Sequence, residues 1–233
     1  MSNGQDFRNG FGSCRTLDHR PDPVAVEQRL RTAYGQPRHY NKRDPLGELI
    51  FIILSTQTRE AEYRRTFAAL WRRYGSWDRL RGAPPAEAAY LIRFGGFADR
   101  KVALIQSLLT HVHADQGRTS LRFLRRLSDD DAMRYLLSLP GVGIKTAKCV
   151  LMYALDREVL PVDTHVWRIS KRLGWISGGK HPDNRGSEAL EAMLLPHLRA
   201  SLHMTMVAHG RAVCRARPTC GSCALAEICP SRL

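Results

Sequence analysis

The sequence predicts an all-α fold, and three observations favour it. Apolar residues recur at spacings of three and four along most of the 233-residue chain. No segment alternates apolar and polar residues over the length of a strand. Short breaks rich in Gly or Pro, such as residues 82–85 and 140–143, separate the helical patterns. The longest aliphatic run covers only residues 49–54, which excludes a membrane-spanning helix.

The N-terminal part of the chain divides into an extension and a first set of helices. Residues 1–24 are rich in Gly, Asn, Asp, Arg and Pro, and we expect them to form a mobile extension. They contain no apolar stretch, so we expect no secretory signal and a cytoplasmic protein. One helix is predicted over residues 25–34, and a later one by an apolar stripe of Phe67, Leu70, Trp71 and Tyr74.

The chain is strongly basic. It carries 36 Lys and Arg against 22 Asp and Glu, a formal charge of +14, and 30 of the 36 are Arg. Arg offers a planar fork of donors that matches phosphate oxygens, and such a charge is typical of nucleic-acid binding. The alternative is a solvated basic surface in an organism whose genome favours Arg codons. A membrane-surface role is disfavoured because the Arg residues are spread along the chain.

Residues 128–155 predict two helices joined by a tight turn. Ser128 and Asp131 have the spacing of a capping box, which starts a helix that ends near residue 138. The sequence Leu-Pro-Gly-Val-Gly then makes the turn, and a second helix begins near residue 144. The free N–H groups at its start favour an anion such as a DNA phosphate, and the residues assigned to this contact are Gly141, Val142, Gly143 and Thr146. An ordinary helical hairpin is the alternative.

Lys145 and Asp163 have a chemistry that goes beyond binding. Lys145 falls in the first turn of the second helix, where the helix dipole disfavours a cation and favours the neutral, nucleophilic amine. Asp163 stands just before the helical pattern of residues 164–173 and is placed to accept the lysine proton. A solvated lysine and an ordinary helix N-cap are the alternative interpretations.

These residues resemble the pattern of a known family. The segment LPGVGIKTA, residues 139–147, is followed 18 residues after Lys145 by Asp163 in PVDTHVWR. This combination is similar to the helix-hairpin-helix and Gly/Pro…Asp signature of the endonuclease III family of DNA glycosylases. Residues 49–60, LIFIILSTQTRE, resemble the early helix and the damage-sensing loop of that family. The resemblance extends from about residue 26 to the C-terminus.

The resemblance implies a bifunctional DNA glycosylase and AP lyase of base excision repair. Such an enzyme extrudes a damaged base, here an oxidised pyrimidine, from double-stranded DNA. Lys145 would attack the sugar C1′ and expel the base, Asp163 would accept the lysine proton, and β-elimination from the resulting imine would cut the strand. The resemblance also implies a monomer in the cytoplasm of a bacterium or archaeon, associated with the nucleoid.

The same resemblance implies two lobes, with DNA lying in the cleft between them. Residues 40–157 would form a six-helix barrel that ends in the hairpin. Residues 25–39 would join residues 158–233 in a second helical lobe that carries a metal centre. Lys145 and Asp163 would lie on opposite walls of the cleft.

Four of the six cysteines lie within the last 20 residues: Cys214, Cys220, Cys223 and Cys229. Four thiolates this close together can surround one metal centre, and structural zinc and disulfides are the alternatives. The pattern resembles the family's 4Fe–4S loop, which implies a cluster that fixes the tail and presents Arg215 and Arg217 to the DNA backbone. The first spacing departs from the family, because five residues separate Cys214 from Cys220 where six are usual.

Two loops of the family fill the gap that an extruded base leaves behind. Gln57 matches the polar residue inserted from the first loop. In the second loop, around residues 94–101, Gly96 stands where the family often carries an apolar wedge, and we interpret the neighbouring Phe97 as a core residue. Loss of the wedge would weaken turnover on ordinary oxidised pyrimidines, or favour a lesion that is easier to extrude.

Two other functions stay open at this point. The chain could be a non-catalytic helix-hairpin-helix DNA-binding module with a structural metal, although binding alone does not need Lys145 paired with Asp163. It could also be a monofunctional glycosylase of the mismatch or adenine type, which forms no covalent lysine adduct with DNA.

Overall fold

Every regular element that the structure, a computed structural model, describes in residues 20–37 and 39–233 is a helix. The predicted all-α fold is therefore confirmed for this part of the chain. The α-helices are α1 (Pro23–Tyr34), α2 (Pro45–Ser55), α3 (Glu60–Tyr74), α4 (Trp77–Arg81), α5 (Pro85–Ile92), α6 (Ala98–Gln116), α7 (Asp129–Ser138), α8 (Ile144–Leu155), α9 (Thr164–Arg172), α10 (Asn184–Met193) and α11 (Pro196–Ala212). Short 3₁₀ turns lie at Arg93–Gly95, Arg122–Arg126 and Cys220–Ser222. None of these helices has the length and apolarity needed to cross a bilayer.

The helix starts follow local capping chemistry. The Ser128 hydroxyl accepts the Asp131 N–H at 3.1 Å, so α7 begins where the sequence predicts. Helix α1 begins two residues earlier than expected, because Asp22 caps it and Pro23 occupies the first helical position, where no N–H is needed. The rest of the predicted extension, residues 1–19, lies outside the described residues.

The larger apolar cluster is built around α2. Residues 45–54 of this helix are all buried, and it packs against α3, α6 and α8. The cluster collects buried side chains from Leu46 to Leu155. Burying one such aliphatic side chain contributes roughly 1.5–3 kcal/mol. This core fixes α8, and with it the turn that precedes α8, against the rest of the molecule.

The smaller apolar cluster joins the two ends of the described chain. Val26 and Leu30 of α1 pack with residues between Leu160 and Leu225, and α1 lies against α11. Trp167 of α9 is fully buried at its centre. The chain passes from one cluster to the other directly after α8, so the start of α9 lies near α8 at the boundary between them.

Candidate active site

The turn between α7 and α8 depends on Gly141. Gly141 has φ +70°, and a Cβ at this position would lie 2.5 Å from Leu104 Cδ1. Only glycine fits both the left-handed backbone and the close approach of α6. Gly143 is the N-cap of α8 and is exposed. The helix-hairpin-helix predicted from the sequence is therefore present.

The start of α8 offers backbone N–H groups to an anion. No side chain caps this end, and its first turn contains no acidic residue. The partial positive charge of a helix N-terminus favours a phosphate here. Val142, which is also assigned to the phosphate contact, has a buried side chain, and its N–H donates to the Leu139 carbonyl at 3.2 Å. Gly141 and Gly143 are exposed, and Thr146 is half-buried on the same turn.

Lys145 lies in the first turn of α8, and Cys149 and Tyr153 follow at four-residue intervals on the same face. The Cys149 sulfur raises the pKa of Lys145, and the carboxylates of Asp163 and Glu48 raise it further, against an opposing effect of desolvation by the surrounding protein, although the residue itself is exposed. The helix terminus favours the neutral amine, but the neighbouring groups shift the pKa of Lys145 in the opposite direction in the free protein. Because its neighbours favour the ammonium form, Lys145 becomes a nucleophile only when a nearby group takes its proton.

Asp163 is both a helix cap and a free acceptor. Its Oδ1 accepts the N–H groups of His165 and Val166, both at 2.8 Å, at the start of α9. Its Oδ2 accepts no hydrogen bond from the described residues, and no ion pair within 4.0 Å joins Asp163 to Lys145. The carboxylate is thus held in one orientation by one oxygen. The second oxygen is left without a hydrogen-bond donor among the described residues.

Glu48 is a site residue that sequence reasoning missed. This carboxylate on α2 is fully buried and receives hydrogen bonds from the Asn41 side-chain amide and, at 2.6 Å, from the Lys42 N–H. Burial raises its pKa to about 7, while its hydrogen bonds and the Lys145 charge oppose that change. The signal in the sequence was a carboxylate inside the apolar run of residues 46–54, because an unpaired charge in a core is costly.

A cavity of about 160 Å³ lies beside this group where the two apolar clusters meet. Asn41, Tyr63 and Tyr153 line it from the larger cluster, and Arg211 of α11 lines it from the other side. Arg211 forms an ion pair with Glu60 of α3 at 3.0 Å across the boundary. Tyr153 belongs to both places, because it lines the cavity and shares a helix face with Lys145.

Two loops near the cavity carry strained, exposed residues at their tips. Gln57 has φ +52° and Phe97 has φ +51°, and a left-handed backbone costs a residue other than glycine about 1–2 kcal/mol. Phe97 is 59% exposed, so its interpretation as a core residue is wrong. Gly96 has φ +67°, and a Cβ there would meet nothing within 4 Å. Glycine at position 96 thus serves the turn, and Phe97 is the apolar side chain that this loop presents.

The four C-terminal cysteines line one small cavity. All four are free thiols. Burial raises the pKa of Cys223 and of Cys229, and the charges of neighbouring cysteines raise both further. The Arg172 guanidinium donates to Cys214 Sγ at 3.0 Å. Within the described part of the chain, no three His, Cys, Asp or Glu side chains converge closely enough to hold a single metal ion.

Two arginines of the cysteine segment face solvent. Arg215 and Arg217 are both exposed, and the Arg215 Nε donates to the Arg211 carbonyl at 2.9 Å. Their exposure leaves both guanidinium groups able to contact a phosphate. Cys14 lies outside the described residues.

Comparisons with known proteins agree on one family. A family model described as HhH-GPD superfamily base excision DNA repair protein matches residues 50–193. Endonuclease III of Thermotoga maritima is 33% identical over 197 residues, which are 83% of this chain and 86% of the relative. A relative in Arabidopsis thaliana is 35% identical over 167 residues, but the match spans only 56% of that protein.

A solved structure supports the same assignment. The structure of a trapped endonuclease III–DNA covalent intermediate matches with a TM-score of 0.74 and 26% identity. The match covers 91% of this chain and 97% of that one. The likeness therefore includes both apolar clusters and the boundary between them.

Proposed function

This chain belongs to the HhH-GPD superfamily of base excision DNA repair proteins, and we propose that it is a bifunctional DNA glycosylase and AP lyase that removes damaged pyrimidines. One observation carries the proposal. A lysine at the open N-terminus of α8 lies near an aspartate whose second oxygen has no hydrogen-bond partner among the described residues. A nucleophile with a proton acceptor near it suits attack at C1′ of a nucleotide.

The residues divide the reaction as follows. The α8 N-terminus holds a backbone phosphate, which brings the sugar of an extruded nucleotide to Lys145. Asp163 Oδ2 accepts a proton from the lysine ammonium, and the Nζ lone pair forms a bond to C1′ while the glycosidic bond breaks and its electrons leave with the base. The amine then forms an imine with the opened sugar. Loss of a C2′ proton expels the 3′ phosphate and cuts the strand.

The cavity beside Tyr153 is the proposed site of the extruded base. An apolar cavity of about 150 Å³ holds a benzene ring, so a cavity of about 160 Å³ has room for a one-ring base. Asn41 gives one N–H to Glu48, which leaves its carbonyl and second N–H for the edge of a pyrimidine. Tyr63 and Tyr153 line the same cavity.

The four C-terminal cysteines are proposed to hold a 4Fe–4S cluster. They line one common cavity, and four cysteine thiolates are the ligand set of a 4Fe–4S cluster. When bound, such a cluster would contribute a structural crosslink between the end of α11 and the C-terminal tail. Arg172 of α9 already contacts Cys214 and would hold that link in place.

The proposal is tested by borohydride trapping on defined duplexes. The panel carries thymine glycol, 5-hydroxycytosine, uracil or 8-oxoguanine at one position, and base release and strand cleavage are measured separately. We expect release and cleavage on a pyrimidine lesion and a covalent protein–DNA adduct that Lys145→Gln abolishes. Lys171→Gln, on the neighbouring helix α9, is the control and should trap normally.

Other outcomes select the alternatives. Base release without an adduct would indicate a monofunctional glycosylase. Duplex binding without release of any base would indicate a DNA-binding module. Undiminished trapping in Lys145→Gln would show that the nucleophile is another amine, such as the N-terminus.

A further inference from the structure

Lys101 is a buried cation that the proposed chemistry does not use. It lies in the first turn of α6 and is only 6% exposed. An ammonium has three donors, and all three are used: Nζ donates to the Leu54 carbonyl at 2.9 Å, to Thr58 Oγ1 at 2.6 Å and to the Gly95 carbonyl at 2.9 Å. It forms no ion pair with a carboxylate of the described residues. Its contacts therefore hold backbone in place rather than balance charge.

The three oxygens belong to, or directly flank, two loops whose tips are Gln57 and Phe97. Leu54 is in the last turn of α2 and Thr58 follows Gln57, so Lys101 donates hydrogen bonds to the first loop both before and after its tip. Gly95 precedes the tip of the second loop. The Thr58 hydroxyl also donates to the Gly95 carbonyl at 2.6 Å, which ties the two loops directly to each other.

The second loop is also fixed from behind. Gly95 is buried, and a Cβ at this position would lie 3.0 Å from Thr66 Cγ2 of α3. The loop backbone thus packs against α3 while its carbonyl is held by Lys101. The strained conformations of Gln57 and Phe97 lie within two residues of these anchors on each loop. A strained backbone conformation persists only where neighbouring groups hold it in place. Here the Lys101 ammonium binds the backbone near both strained residues.

We propose that Lys101 is a positioning residue that sets the spacing and direction of Gln57 and Phe97, so that the two side chains enter the duplex together where a base is extruded. The proposal rests on the proposed function. It predicts that loss of Lys101 slows the reaction on a damaged duplex more than the reaction on a single-stranded abasic site. Extruding a base from a duplex leaves a gap that both tips must fill, whereas a single-stranded abasic site has no stacked base to extrude and no opposite strand.

The test compares two rates for each variant. The first is excision from the fastest-cut duplex of the lesion panel, and the second is cleavage of a single-stranded oligonucleotide with one abasic site. Lys101→Met keeps the aliphatic stem and removes the three donors. Thr58→Val removes only the hydroxyl between the loops. Gln106→Met, on the same helix, is the matched control, because Gln106 donates to two backbone carbonyls, Leu80 at 3.0 Å and Ala83 at 2.8 Å, away from both loops.

We expect the ratio of the duplex rate to the single-strand rate to fall by about tenfold or more in Lys101→Met, and by less in Thr58→Val, because small misplacements of positioning groups have large effects on rate. The ratio should not change in Gln106→Met. A 2-aminopurine base beside the lesion should show slower or weaker unstacking in the two loop variants. If Lys101→Met does not fold, the ratio measured for Thr58→Val tests the proposal by itself.

Two results would overturn the inference. Folded Lys101→Met and Thr58→Val proteins with the wild-type ratio would show that the tips need no such anchor. An equal fall of both rates would show a general loss of structure rather than of positioning. Neither result concerns the proposed function, which fails if the wild-type protein excises no base from the panel or forms no covalent adduct.

Discussion

Cys149 lies one helical turn from Lys145 on α8, and its sulfur interacts with the lysine amine. Burial raises the pKa of Cys149 to about 11, so the thiol stays protonated at neutral pH. The charge interaction between the sulfur and Lys145 needs the thiolate, so at neutral pH the protonated thiol acts on the ammonium only as a hydrogen-bond acceptor, beside the carboxylates of Asp163 and Glu48. The free protein thus holds its proposed nucleophile in the unreactive form, and the proton must leave before the amine attacks.

The first prediction follows from this contact. Cys149→Ala removes the sulfur and should lower the pKa of Lys145, so that imine formation begins at lower pH than in the wild type. The rate of borohydride trapping on an abasic duplex, measured from pH 5 to 9, reports this shift. Cys149→Ser keeps an acceptor and should resemble the wild type. A profile in Cys149→Ala that does not move would mean that the thiol has no influence on the amine.

Asp163→Asn separates capping from proton transfer. An amide oxygen can still accept the two N–H groups of α9, so stability should change by no more than about 1 kcal/mol. Base excision should fall by about 10²-fold or more, because the amide accepts no proton from Lys145. Asp183→Asn is the matched control, since Asp183 caps α10 by accepting the Gly186 N–H at 2.7 Å. Parental excision by a folded Asp163→Asn protein would remove this residue from the mechanism.

Glu48 predicts a pH dependence of stability. Its pKa is about 7 in the folded protein against an ordinary value of 4.5, so the folded state binds more protons than the unfolded state between these values. The wild type therefore loses stability as the pH rises from about 4.5 through 7, by on the order of 2–3 kcal/mol. Glu48→Gln does not titrate and should avoid this loss.

Urea denaturation at pH 5 and at pH 8 measures the effect. The unfolding free energy of Glu48→Gln minus that of the wild type should increase between the two pH values. A difference that is independent of pH would show that Glu48 is ionised throughout and that its hydrogen bonds with Asn41 and Lys42 outweigh burial.

The hairpin could be predicted from sequence because its determinants are local. Ser128 and Asp131 start α7 within one turn, and Gly141 and Gly143 shape the turn. The placement of Lys145 at the helix start follows directly. Such elements need no knowledge of distant contacts, and helix caps and glycine turns are the strongest local signals in a chain.

The loop tips could not be predicted in the same way. The contacts that hold them join Lys101 to residues 43 and 47 positions away, and no local pattern reveals which oxygens a lysine will meet. A phenylalanine with a left-handed backbone also violates its own conformational preference. For these reasons the sequence indicated a core role for Phe97, whereas the folded chain exposes it.

The cysteine cluster is tested by iron content. Purified protein should be yellow-brown and contain about four iron atoms per chain. Cys223→Ser should lose iron and unfold at lower temperature, because the tail contributes little apolar surface of its own. Cys149→Ser is the matched control and should keep its iron, since Cys149 is buried in the other apolar cluster. Colourless, folded protein with one zinc per chain would reject the cluster.

Phe97→Gly tests whether strain at the loop tip serves function. Glycine relieves about 1–2 kcal/mol of left-handed strain but adds freedom to the unfolded chain, so stability should change by less than about 1 kcal/mol. Excision from damaged duplex should nevertheless fall by about tenfold or more, because no apolar side chain enters the gap. Asp156→Gly is the control. Asp156 has φ +54° at the end of α8, so this substitution relieves the same kind of strain outside the two loops. Equal excision by Phe97→Gly and Asp156→Gly proteins would show that the exposed ring at position 97 does not take part in base extrusion.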